Sequence, residues 1–185
     1  MIYLGVALKT DEVITVVAKP IVLKTKTKLD ISFRIDEITE ITEEKQATQY
    51  LEILKNIIIE NGVNVVVSKW VDFAHTKKFK GIDKARLKER LLIACGLTDT
   101  MFVETDTYGW EGYLTEKTNT HDKTKLIKEA FGIDLKDKKK YNYNYKQYQN
   151  LANTIIMTIG VASGKIKARP RQIITYDYKL KKGGK

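Results

Sequence analysis

The alternation of apolar and polar residues in the first part of the chain predicts three consecutive β-strands. Residues 2–8 form a compact apolar run, and residues 13–19 are rich in β-branched side chains, with Pro20 expected to end this second strand. Residues 29–35 carry an apolar side chain at every second position, which is typical of a half-buried strand. Three strands in succession favour an antiparallel meander.

The rest of the pattern alternates helices with strands. Thr42 is a candidate N-cap for a helix with apolar residues at helical spacing, and Asn61-Gly62 is a strong stop signal for it. Further along, the pattern predicts strands at 63–68 and 100–105 and helices at 83–95, from Asp122 to the residue before Gly132, and at 145–159. The order β-β-β-α-β-α-β-α-α predicts one α/β domain, whose mixed five-stranded sheet joins three antiparallel strands to two parallel strands.

The net charge of the chain indicates the kind of partner that it binds. The chain has 33 Lys and Arg residues against 23 Asp and Glu residues, and its net charge of +10 favours a polyanion such as nucleic acid. Residues 165–185 hold eight basic residues and one acidic residue, so we predict a domain at 1–164 followed by a basic tail that either contacts phosphates or is merely solvated. No apolar run reaches membrane length and no secretory signal opens the chain, which predicts a cytoplasmic protein without membrane contact.

Nucleophilic and zinc chemistry find little support in the sequence. The single cysteine, Cys95, lies in an apolar run and is expected to be buried, and no Cys or His cluster has zinc-ligand spacing. His75 and His121 have no Ser or Asp partner at a recognisable spacing, so both are expected to be surface residues.

Four stretches carry a family resemblance. They are the helix-to-strand run at 51–70, the turn Tyr108-Gly109-Trp110, the Lys-containing segment at 121–133 that leads into a helix, and residues 150–154 near the start of the last helix. In this order they resemble the RuvC-type Holliday junction resolvases, with the Trp-containing turn typical of phage and mitochondrial relatives. The resemblance implies a ribonuclease-H-like fold, a homodimer with two-fold symmetry and binding of branched DNA.

The resemblance also implies a metal site that this chain lacks. The family holds divalent metal with four acids, and the matching positions here are Ala7, Ser68, Asn150 and Asn153. Because this alignment leaves no carboxylate, we expect no metal cofactor and a catalytically inactive, DNA-binding member of the family. Lys123 matches the Lys that the family places near the scissile phosphate.

Other interpretations stay open at this point. Other acids could hold magnesium and make the chain an active endonuclease; the best candidates are Glu104 and Asp106, ahead of Asp11, Asp72 and Glu111. The acids could instead have been removed by engineering, or the protein could be a non-enzymatic structural or partner-binding protein. An actin-like ATPase of the same fold is disfavoured because residues 8–12 contain no Gly-rich phosphate turn.

Segments that mix lysines with aromatic residues are the expected DNA contacts, because aromatic side chains beside cations stack on bases for about 1–3 kcal/mol each. The predicted contact residues are Lys69, Phe73, Lys77, Lys78, Phe79, Lys80, Trp110, Lys138, Lys139 and Lys140. The tyrosines at 141, 143 and 145 either join this strip or fold back onto the domain. The Lys-, Ile- and Asn-rich composition indicates an AT-rich genome, such as that of a phage or virus.

Overall fold

The computed structural model describes residues 1–23, 26–69, 78–105, 112, 114–116 and 121–170. The strands are β1 (Tyr3–Leu8), β2 (Glu12–Leu23), β3 (Lys26–Glu37), β4 (Val65–Lys69), β5 (Met101–Thr105) and β6 (Arg169–Pro170). The helices are α1 (Glu43–Asn61), α2 (Lys78–Leu97), α3 (Lys123–Phe131) and α4 (Tyr145–Ala162). In the described part of the chain, no helix is both long enough and apolar enough to span a membrane.

The strands form one mixed sheet in the order β3-β2-β1-β4-β5-β6. β2 runs antiparallel to both β3 and β1, whereas β4 lies parallel to β1 and β5 lies parallel to β4. The predicted arrangement of three antiparallel strands followed by two parallel strands is therefore confirmed. The two-residue β6, antiparallel to β5, extends the sheet beyond the prediction.

Helix ends follow the local chemistry on which the prediction rested. The Thr42 side chain accepts a hydrogen bond from the Lys45 amide at the start of α1, and Gly62 ends this helix at φ 59°. Asp122 caps α3, and Gly132 ends α3 at φ 70°. Both glycines adopt left-handed backbone angles that a side chain would disfavour, which is why they stop the helices where the sequence predicts.

Three predicted boundaries are wrong. β2 continues through Pro20, which pairs with Leu29 beyond the last β1 partner at Ala18, so its missing N–H interrupts no ladder with β1. α2 spans Lys78–Leu97, whereas the predicted helix spans 83–95, so both predicted ends are too short. The weak apolar periodicity at the start of α2 conceals its first turn.

The predicted domain end at residue 164 does not coincide with the end of the packed structure. Ile166 is buried among residues of α4, and Arg169 pairs with Glu104 of β5. Residues 165–170 therefore follow α4 back onto the sheet, and the part of the predicted tail from 171 onward lies outside the described residues.

The sheet separates two apolar layers. On one face Leu4 and Val66 pack with Leu54 of α1 and Leu91 of α2. Cys95 belongs to this layer, so its predicted burial is confirmed, and burial raises the pKa of its thiol to about 12. On the other face a second layer is built mainly from β2, α3 and α4 residues; it includes Ile14, Val16, Leu126, Leu151, Ile155 and Ile159.

A glycine sets how closely α4 approaches the sheet. A Cβ at Gly5 of β1 would lie 1.7 Å from the hydroxyl oxygen of Thr158, well inside any allowed contact. The Thr158 hydroxyl itself donates to the Thr154 carbonyl at 2.6 Å. A residue without a side chain at position 5 is thus required for α4 to lie against the centre of the sheet, and this contact positions the site described next.

Candidate functional site

The carboxyl ends of three neighbouring parallel strands meet at one edge of the sheet. Val6 of β1 pairs with Ser68 of β4, and Ser68 in turn pairs with Glu104 of β5. The next row contains Lys69 opposite Thr105, and Ala7 comes one residue after Val6 on the neighbouring strand. These two rows are where the sequence analysis places the family's strand-borne acids.

The two rows face opposite sides of the sheet. Val65 and Val67 pack against Met157 of α4, so by the alternation of a strand Lys69 also points to the α4 side. Ala7 packs in the layer that contains α4, whereas Val6 packs in the layer that contains α1 and α2. The structure therefore brings Ala7 together with Lys69, and it places Ser68 on the opposite face.

Glu104 is engaged on that opposite face. Its carboxylate forms an ion pair with the Lys88 ammonium of α2, and the two side chains are only 15% and 9% exposed respectively. Glu104 thus fastens β5 to α2 instead of facing Ala7 and α4. Among the alternative acids, Asp72, Asp106 and Glu111 lie outside the described residues, and Asp11 is exposed.

Helix α4 carries a row of amide side chains toward the same edge. Gln147, Asn150 and Asn153 recur every three residues, which places them along one side of the helix. The Lys123 ammonium donates a hydrogen bond to Asn153 Oδ1 at 2.7 Å. Asn150 Nδ2 is buried and has no hydrogen-bond partner among the described residues. Lys123 and Asn153 are thus brought together across α3 and α4.

The N-cap of α3 fixes the position of Lys123 in the chain direction. It is the first residue of this helix and follows the N-cap Asp122, which accepts hydrogen bonds from the Thr124 amide and the Thr124 hydroxyl. The Lys136 ammonium also donates to Asp122 at 3.0 Å. Hydrogen bonds from the Thr124 side chain and then Lys136 lower the pKa of Asp122 to about 2.

One buried carboxylate at this edge, that of Glu12, is not among the site residues predicted from the sequence. Glu12 is the first residue of β2 and is 6% exposed. Its side chain points to the same face of the sheet as those of Ile14 and Val16, which pack in the α4 layer. Gln147 Nε2 donates to Glu12 Oε2 at 3.2 Å, while Oε1 is buried without a hydrogen-bond partner among the described residues. The sequence signal for this burial is the two-residue spacing of Glu12 with the apolar residues Ile14 and Val16 of the same strand.

These residues do not fit the metal centre that the family resemblance implies. Magnesium prefers carboxylates plus waters, whereas this edge presents the Ala7 methyl, the ammonium groups of Lys69 and Lys123, and neutral amides. Across the described ranges, no group of three or more His, Cys, Asp or Glu residues is arranged to hold a metal ion. Glu12 supplies a single carboxylate, already bonded to Gln147.

The Lys- and Tyr-rich strip before α4 divides into two parts. Tyr141 packs against Phe33 of β3 at 5.2 Å between ring centroids and stacks on Tyr143 at 5.8 Å, so these two tyrosines fold back onto the domain. Lys138, Lys139 and Lys140 are exposed, as DNA contacts must be. Tyr145 is 71% exposed.

The remaining predicted contacts are only partly described. The structure places Lys78, Phe79 and Lys80 in the first turn of α2. Phe73, Lys77 and Trp110 lie outside the described residues, as does His75. His121 is exposed, which confirms the expectation of a surface histidine.

No protein-family model matches this chain, and no curated protein matches it either. Among solved structures, the chain is similar to RuvC of Thermus thermophilus, with a TM-score of 0.64 and 9% identity over 91% of this chain and 100% of that one. The same RuvC in complex with a Holliday junction substrate gives a TM-score of 0.62 at 9% identity, covering 91% and 99% of the two chains. The Fowlpox virus resolvase in complex with substrate Holliday junction DNA gives 0.55 at 10% identity, covering 90% and 100%. At these identities the likeness concerns the fold, and the chain has the ribonuclease-H-like fold of these resolvases, as its sequence predicts.

Proposed function

We propose that this protein binds branched DNA, the Holliday junction in particular, and does not cleave it. The observation that carries the proposal is the composition of the sheet edge on the α4 side. The sequence alignment matches Ala7, Asn150 and Asn153 to acids of the family, and Lys69 lies on the same side of the sheet as Ala7. Lys123 is hydrogen-bonded to Asn153. A site with this composition retains groups that contact phosphate but lacks those that hold metal.

The choice of branched DNA as ligand rests on two further supports. Two of the similar structures are resolvases in complex with Holliday junction DNA, and the chain spans their whole length. The net charge of +10 provides the electrostatic attraction that a phosphate backbone requires. Exposed lysines at 138–140 lie just before α4, where they extend the basic surface beyond the sheet edge.

We also propose that the protein acts as a homodimer, because two-fold symmetry matches the paired arms of a four-way junction. The family resemblance suggests that α2 lies near the dimer interface. This helix exposes Ile93 and Leu97, one turn apart and 45% and 61% exposed, and such apolar side chains are suited to burial against a second copy. Light scattering coupled to gel filtration measures the mass directly.

An active endonuclease is the second candidate function. It needs acids outside the edge on the α4 side, and Glu104 is disfavoured because it is ion-paired to Lys88 on the other face. Asp106, the other leading candidate acid, lies outside the described residues. A non-enzymatic partner-binding protein is the third candidate, and it predicts no affinity for nucleic acid.

Competition binding tests the proposal. A labelled four-way junction is titrated with the full chain, and unlabelled junction or linear duplex of the same sequence is then added as competitor. We expect the junction to compete at far lower concentration than the duplex. Equal competition would replace the junction by duplex DNA as ligand, and no binding to either DNA would favour the partner-binding candidate.

A further inference from the structure

We infer that Lys69 and Lys123 hold a backbone phosphate directly, with the Asn150 amide as a third donor, so that this edge binds DNA without a divalent metal. The inference rests on the proposed function and deepens it. It concerns the way in which the edge recognises its ligand once the family's acids are absent.

Lys69 lies at the end of β4, on the same side of the sheet as α4. The register places it beside Ala7 and opposite Thr105, and the alternation of β4 turns it to the α4 side of the sheet. Its side chain is exposed at the end of the strand. The alignment by sequence expects Ser68 to face α4. In the structure the ammonium group of Lys69 lies on that face instead.

The neighbouring groups are hydrogen-bond donors. Lys123 donates to Asn153 Oδ1 at 2.7 Å, which fixes a second ammonium group against α4. Asn150 Nδ2 is buried and has no acceptor among the described residues. Two ammonium groups and an amide N–H form a donor set that suits an oxyanion, and a metal cation would be repelled by it.

The nearby carboxylate of Glu12 would oppose an anion. Glu12 is 6% exposed, and its Oε2 accepts a hydrogen bond from Gln147, one turn before Asn150 on α4. It faces the helix from the start of β2, whereas Lys69 lies on β4, with β1 between the two strands. The Glu12 carboxylate is therefore buried and already accepts a hydrogen bond from Gln147, two strands away from Lys69.

The test measures junction affinity by fluorescence anisotropy over a series of KCl concentrations, once in EDTA and once in Mg²⁺. We expect the unmodified chain to bind in EDTA as well as it does in Mg²⁺. Lys69→Ala and Lys123→Ala should each weaken binding roughly tenfold and reduce the slope of log affinity against log salt by about 1. Asn150→Ala should weaken binding by a smaller factor and leave the slope unchanged, because it removes no charge.

Two lysines serve as matched controls. Lys125 is exposed on α3, two residues from Lys123, and Lys45 is exposed in the first turn of α1 on the other side of the sheet. Lys45→Ala and Lys125→Ala should retain the affinity and the salt slope of the unmodified chain. Circular dichroism of each variant distinguishes a lost contact from a lost fold.

The outcomes separate the inference from the proposed function. Binding that requires Mg²⁺, or Lys69→Ala and Lys123→Ala variants that bind like the two controls, would overturn the inference while junction binding stands. Absence of junction binding by the unmodified chain would instead remove the proposed function, and the inference with it.

Discussion

The two faces of the sheet at its carboxyl edge have opposite chemistry, although they are built from the same three strands. On the α1 and α2 side, Glu104 is ion-paired to Lys88 between β5 and α2. On the α4 side, Lys69 and Lys123 accompany amides of α4, and the nearby Glu12 is buried against Gln147.

An acid at the end of a central strand is therefore not by itself evidence for an active site. Glu104 comes at the end of a central parallel strand, where a catalytic carboxylate of this fold could stand. Its side chain nevertheless points to the face where it stabilises the packing of a helix. Neighbouring side chains of a strand point to opposite faces of the sheet. A shift of one residue would therefore move a carboxylate from the α2 side, where it pairs with a helix, to the α4 side.

The largest expected effect comes from restoring acids on the α4 side. A variant with Ala7→Asp, Lys69→Glu, Asn150→Asp and Asn153→Asp should bind Mn²⁺ or Mg²⁺ in calorimetry and cut junctions, because carboxylates then converge on one face. The matched control replaces Lys69→Glu by Ser68→Glu, which puts the fourth acid on the α2 side. Cleavage by the Ser68→Glu set and not by the Lys69→Glu set would refute the assignment of faces.

The next largest effect concerns the other face. Lys88→Met leaves the Glu104 carboxylate without its partner in a site where it is only 15% exposed, and this should lower the free energy of unfolding by about 3–5 kcal/mol in urea titrations. Adding Glu104→Leu removes the charge as well and should restore most of the stability. A double variant as unstable as the single one would show that the ion pair is not what binds α2 to β5.

The contact between α4 and β1 gives a smaller effect. Gly5→Ala should reduce stability by about 1–3 kcal/mol, because its Cβ would overlap the Thr158 hydroxyl. Gly96→Ala is the matched control, since its Cβ meets nothing within 4 Å in α2, and it should leave stability unchanged or slightly raised. Thermal unfolding of both variants checks the difference, and equal melting temperatures would contradict the close approach of α4.

The smallest effect concerns the cap that positions Lys123. The pKa of Asp122 is lowered to about 2 in the folded chain, so its stabilisation is present above the ordinary carboxyl pKa of 3.8 and is lost as the pH falls toward 2. Asp122→Ala should cost about 1 kcal/mol near neutral pH and should flatten this acid dependence. Asp122→Asn retains an acceptor and should lie between the two in stability. An unchanged acid profile in Asp122→Ala would show that the cap makes no pH-dependent contribution.

Much of the fold was predictable because the signals are local. α1 begins after Thr42 and ends at Gly62, and α3 begins after Asp122 and ends at Gly132. These ends are set by hydrogen bonds and backbone angles that depend on a few neighbouring residues. The antiparallel and parallel directions of the strands follow from the alternation of strands with helices. The substitution of the family's four acids stays a prediction from the alignment.

The exact membership of the site was not predictable in the same way. Whether Ser68 or Lys69 faces α4 depends on the pleat of β4 against its neighbours, and a sequence alignment that slips by one residue reverses it. Glu12 was missed because its burial depends on α4, where its hydrogen-bond partner Gln147 lies 135 positions away in the chain. The local signal, the two-residue spacing of Glu12 with Ile14 and Val16, does not identify the partner on α4.

The most direct test of the central claim uses one reaction mixture analysed on two gels. A labelled four-way junction is incubated with a saturating amount of the unmodified chain in Mg²⁺ or Mn²⁺, and the mixture is divided between a native and a denaturing gel. The account predicts a shifted complex on the native gel and full-length strands on the denaturing gel. Nicked strands, or no shifted complex, would contradict it.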